Sequence, residues 1–135
     1  MPMTYYFAAQ IAGGTMDAVE EVVRQELAQE GFGVLTEIDV AATLKKKLDV
    51  DFRPYRILGA CNPQLAHEAL SSEDKIGVML PCNVILQQQK DGVEVAAVDP
   101  IASMQAVGNE ALGDIAGTVA NKLQAVIERV AARCG

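Results

Sequence analysis

The chain has 135 residues, half of them hydrophobic, with no tryptophan, and eighteen acidic against eleven basic residues give it a formal charge of -7. That length fits one domain spanning 1–135, able to bury roughly two-thirds of its unfolded surface in a core of Val, Leu, Ile and Ala, and the hydrophobic content excludes disorder. A net acidic surface repels phosphate backbones, so no nucleic acid partner is expected; no apolar run reaches the roughly 20 residues that span a bilayer, so no membrane partner is expected either.

The N-terminus M-P-M-T-Y-Y-F-A-A-Q has no basic n-region and no long apolar h-region, and three cysteines read as reduced thiols instead of a disulfide framework. A cytoplasmic location is expected. Thr4 to Ile11 reads as a first strand, broken by Gly13-Gly14, a plain turn that lacks the fuller phosphate-cradling glycine pattern. Thr15 is a good N-cap. From Met16 the apolar positions Met16, Val19, Val22, Val23 and Leu27 recur at helical spacing until Gly31 supplies a left-handed end.

Gly33 to Val40 alternates, which predicts a half-buried strand with one sheet face meeting water. Ala41 to Leu48 predicts a short helix whose Lys45-Lys46-Lys47 run complements the dipole at its end. After a turn-rich link, Tyr55 to Cys61 is apolar on both faces apart from Arg56, as in a central strand. Asn62 then caps a helix that starts at Pro63, with Leu65, Ala66, Ala69 and Leu70 inward and His67 outward. Ile76 to Leu80 reads as a second buried strand run, and Pro81, unable to donate a ladder hydrogen bond, should mark a bulge or an edge. Val84 to Gln89 resumes as a strand, joined by an Asp91-Gly92 turn to Val93 to Val98. Asp99-Pro100 starts a short helix to Val107, ended by Gly108. Asn109 caps a long final helix with a stripe from Leu112 to Val130.

The order β-α-β-α-β-α-β-β-α-α admits a doubly wound parallel sheet. The half-polar second strand and the closing hairpin favour instead an α+β two-layer sandwich, with a mixed four-to-five-stranded sheet and helices packed mainly on one face.

Several blocks are distinctive together: G-F-G-V-L-T-E-I-D-V, D-F-R-P-Y-R-I-L-G-A-C-N-P, I-G-V-M-L-P-C-N-V, and V-D-P before the last helix. They resemble the bacterial and archaeal domain-of-unknown-function family 302, from about Thr15 to Val130. The family's blocks fall on Cys61, Asn62, Pro63, Pro81, Cys82, Asn83, Asp99 and Pro100 without departure. The resemblance implies a compact two-layer α+β domain, often standing alone, expected to form a homodimer, and with no established activity.

If the C-N-P and P-C-N blocks end neighbouring strands, two thiols and two carboxamides meet at one end of a sheet. Cys61 precedes a helix N-terminus, which favours thiolate; the alternative is a small buried hydrophobe, open to Cys82 as well. His67 lies nearly two turns from Cys61, as a surface histidine. Two thiols could hold a soft metal such as zinc or copper, but a closed zinc site wants four ligands, and Asp99 or a second subunit would have to complete it. Asn62, Asn83 and Asp99 are equally explained as caps and turn formers. Cys134, one residue from the chain end, is expected to fray.

The reading is a small-ligand or soft-metal binding module using Cys61, Asn62, Cys82, Asn83 and Asp99, with the ligand or cofactor unknown. The alternatives are a thiol-dependent redox protein or enzyme with Cys61 as nucleophile and Cys82 as resolving thiol, and a structural homodimer built on the sheet face and the last helix.

Overall fold

A computed structural model describes residues 4–134; Met1–Met3, part of the N-terminal stretch read for a leader, and Gly135 lie outside the described residues. The elements are β1 (Tyr6–Ala12), α1 (Met16–Gln29), β2 (Gly33–Asp39), α2 (Val40–Leu48), β3 (Tyr55–Cys61), α3 (Pro63–Ser72), β4 (Cys82–Gln89), β5 (Gly92–Val98), α4 (Pro100–Ser103) and α5 (Glu110–Cys134), with 3-10 turns at Ile76–Met79 and Gln105–Val107. The strands form one five-stranded sheet in the order β1-β5-β4-β3-β2. The α+β class is as expected; every pairing, however, is antiparallel, so the sheet is not mixed.

Local chemistry sets the boundaries. Thr15 accepts from the Ala18 N–H, Asp39 from Ala42, Asn62 from Leu65 and Asp99 from Ile101, each satisfying a free amide of a first turn. At the end of α1, the Phe32 N–H reaches the Leu27 carbonyl and the Gly31 N–H that of Ala28, a Schellman closure that needs the left-handed φ of 83° at Gly31.

Strand alternation sorts the sheet into two sides. Leu58, Ala60, Val84, Leu86, Val93, Val95 and Ala97 face the helices and are at most 1% exposed. Val23 and Leu27 of α1 and Leu123, Val126 and Val130 of α5 close over them with no more than 3% exposure. Each buried Val or Leu among them contributes about 1.5–3 kcal/mol by leaving water. The apolar stripe of α5 is therefore consumed inside its own chain and is not free to build a dimer core.

Four expectations are corrected. Ile76 to Met79 is a 3-10 turn, because the register puts Cys82 opposite Ala60 and leaves no neighbouring strand for the preceding residues; Ile76 instead tucks against Ala69 and Leu112. Pro81 stands just before β4, where its missing N–H costs no ladder bond. Leu70, expected inward, is 44% exposed. Cys134 does not fray: α5 runs through it, and it packs against the core.

Candidate functional site

The expected constellation divides into three places. Cys61, at the end of β3, and Cys82, at the start of β4, line one cavity, because Ala60 pairs with Cys82 in the antiparallel register. Asn62 borders the same cavity, but its side chain is engaged. Its oxygen accepts from the Leu65 N–H at 3.3 Å and its amide donates to the Glu30 carbonyl at 3.2 Å, which ties α3 to the end of α1.

The cavity's walls are Phe32, Leu65, Ala69, Ile115 and other apolar groups, and its volume is about 30 Å³, room for roughly one water. Burial, with the nearby Cys61 sulfur adding to it, pushes the Cys82 thiol up to about 11. All three cysteines are free thiols.

Asn83 and Asp99 do not join them. Asn83 follows Cys82 by one residue and so projects from the opposite side of the sheet, where it is exposed. Asp99 caps α4, its carboxylate accepting from Ile101 at 3.0 Å. His67 is on the exposed face of α3, as expected. Among the described residues no three His, Cys, Asp or Glu side chains group as metal ligands.

The side of the sheet opposite α1 and α5 carries a larger feature. A groove of about 500 Å³ runs over β3, β4 and β5, walled by Tyr5, Tyr6, Tyr55, Met79 and Pro81 and floored by Ile85 and Ala96. Asn83, Gln87, Glu94 and Ser103 supply its polar groups. Pairing fixes two of them: Gln87 lies opposite Glu94, and its amide donates to the Glu94 carboxylate at 2.7 Å. The Gln10 amide, opposite Glu94 on β1, donates to the other carboxylate oxygen. Arg53 hydrogen-bonds Gln87 from outside the groove at 2.8 Å and lies 4.5 Å from the Phe52 ring centroid.

Tyr5, Tyr6, Tyr55, Gln87 and Glu94 escaped the sequence reading. The signal was the alternation of β4 and β5, in which Asn83, Ile85 and Gln87 interleave with Val84 and Leu86, and Glu94 and Ala96 with Val93, Val95 and Ala97. Reading Tyr55–Cys61 as covered on both faces hid it.

An antiparallel five-stranded sheet with α1 and α5 packed on one face defines a two-layer α+β sandwich. Within that class, the sequence model of the family described as Domain of unknown function DUF302 matches residues 8–130, and the chain belongs to that family. A solved structure, the uncharacterized conserved protein DUF302 from Bacillus stearothermophilus, is similar over 95% of this chain and 99% of its own, with 29% identity and a TM-score of 0.88. No curated protein matches. Among the described residues, no helix is long and apolar enough to cross a membrane.

Proposed function

We propose that this protein is a small-ligand binding module whose site is the groove on the uncovered sheet face, with Asn83 the member of the expected Cys/Asn set that takes part. The observation that carries this is the groove itself: about 500 Å³, apolar walls, and a few polar groups. Binding pockets of about 300–1,000 Å³ are built in this way. The neutral aromatic probe 2-phenylethanol tests it by NMR titration of the labelled protein. Saturable shifts confined to β3, β4 and β5, lost in Ile85→Arg, are expected; absence of any saturable shift there overturns the reading.

The soft-metal and redox readings have one support, that Cys61 and Cys82 share a cavity. Its small volume and the disfavoured Cys82 thiolate weigh against them, and two sulfurs fall short of a tetrahedral set. Self-association is favoured by apolar side chains left in water: Val78 is 85% exposed and Ile101 51%. On this reading the protein is a cytoplasmic homodimer that binds neither nucleic acid nor membrane. Val78→Asp should raise the monomer fraction in sedimentation, and an unchanged monomeric wild type would remove the homodimer.

A further inference from the structure

We infer that the groove selects an organic ammonium: a cation carried on a small aromatic or aliphatic body. This rests on the groove reading above and names its ligand class. One end of the groove is polar: Glu94, half-buried on β5, lies there opposite Gln87. Both carboxylate oxygens are held by neutral carboxamides, Gln87 on one side and Gln10 on the other. These bonds orient the carboxylate without neutralising it. None of the ion pairs among the described residues includes Glu94. A partly desolvated carboxylate of this kind gains more from an incoming cation than a water-bathed one does.

The walls fit the same class. Tyr55, opposite Gln87 on β3, presents aromatic surface at the Glu94 end of the groove, with Tyr5 and Tyr6 at the other end, and ring faces attract ammonium and guanidinium groups. The Arg53 guanidinium already lies 5.7 Å from the Tyr55 ring centroid, so this wall accommodates a cation on its outer side. Arg53 does not line the groove, and the Gln87 carboxamide stands between it and Glu94. The chain's charge of -7 adds long-range attraction for a cation.

Three probes of one shape test this: phenethylammonium, 2-phenylethanol and 3-phenylpropionate, titrated into the labelled full-length protein. Phenethylammonium should bind about tenfold more tightly than the alcohol, and the anion more weakly than both, the combined worth of a partly screened ion pair and a cation–ring contact. Glu94→Gln should remove that preference, and amide resonances of α1 and α5 that match wild type report that the variant folds. Equal binding of ammonium and alcohol by the wild type, or an ammonium preference that survives Glu94→Gln, overturns the inference and leaves the groove reading standing. If no probe shifts the groove strands, both fall.

Discussion

Arg129 Nε lies 2.6 Å from Glu26 Oε1, so the last helix is clamped to the first by a carboxylate that is only 5% exposed. Arg133 holds the other oxygen at 2.8 Å, and Arg129 also reaches Glu30 at 2.7 Å. The hydrogen bonds from Arg129 and Arg133 hold the Glu26 carboxyl below the ordinary range; the Arg129 bond, helped by Lys122, does the same for Glu30. A depressed folded pKa gives stability that is present above the unfolded carboxylate value, about 4.3, and lost as pH falls through the folded value. Wild type should therefore lose stability below about pH 4, and Glu26→Gln should flatten that acid limb. At neutral pH the variant should cost about 1–2 kcal/mol in urea unfolding, the range for losing charged hydrogen bonds whose arginines keep some water. An unchanged acid limb would show that the clamp contributes nothing.

Cys82 makes the opposite prediction at the alkaline end. Its folded thiol titrates near 11, about two units above the usual thiol range. A raised folded pKa gives stability that is complete below the unfolded value and lost as pH rises towards the folded one, here between about pH 9 and 11. Wild type should lose roughly 2–3 kcal/mol more than Cys82→Ala across that window. Native iodoacetamide labelling at pH 8 should leave Cys82 unmodified, since only about a thousandth of such a thiol is ionised there. Rapid stoichiometric labelling by peptide mass spectrometry would contradict this and restore Cys82 as a resolving thiol.

Gly59, in the middle of β3, faces the bare side of the sheet with no space for a side chain. A Cβ there would strike Thr36 Oγ1 across the β2 pairing and lie 2.7 Å from Pro81 Cγ. Gly59→Ala should destabilise by about 1–3 kcal/mol, the cost of an overpacked contact. Combining it with Thr36→Gly should recover part of that loss, so that the double-mutant cycle shows coupling. Strict additivity would mean that Pro81 alone sets the constraint.

Asn62 separates a structural role from a ligand-binding one. Asn62→Ala removes both the cap to Leu65 and the bond to the Glu30 carbonyl, and should cost about 1–2 kcal/mol. Asn62→Asp keeps the cap and loses the donor, so thermal unfolding should place it between the two. Neither substitution should alter probe binding in the groove, which lies on the other side of the sheet. A change in binding would bring Asn62 back into the site.

The helices were legible because capping is local. Thr15, Asn62-Pro63 and Asp99-Pro100 announce their starts within four residues, and the α1 and α5 stripes repeat often enough to define a buried face. The strand content around Pro81 was less so: I-G-V-M-L has a strand's composition, and only the register with β3 reveals that it has no partner. Strict alternation in β2 also misled, because the strand lies at the sheet edge and its pairing shifts between Val34 and Thr36, so Ile38 on the apolar face is 46% exposed. The cysteine echo located two chain segments that do meet. The groove depends on which sheet side the helices leave bare, and that is decided by long-range packing of α1 and α5.

Because α1 and α5 pack on one side of the sheet, alternate positions of β4 and β5 answer to different demands. Substitutions at Ile85, Gln87, Glu94 or Ala96 can retune what is recognised, while Val84, Leu86, Val93 and Val95 keep the scaffold standing. Stability and selectivity are thus written on alternate letters of the same strands, and a library confined to the groove-facing letters of each strand would vary one property with little disturbance of the other.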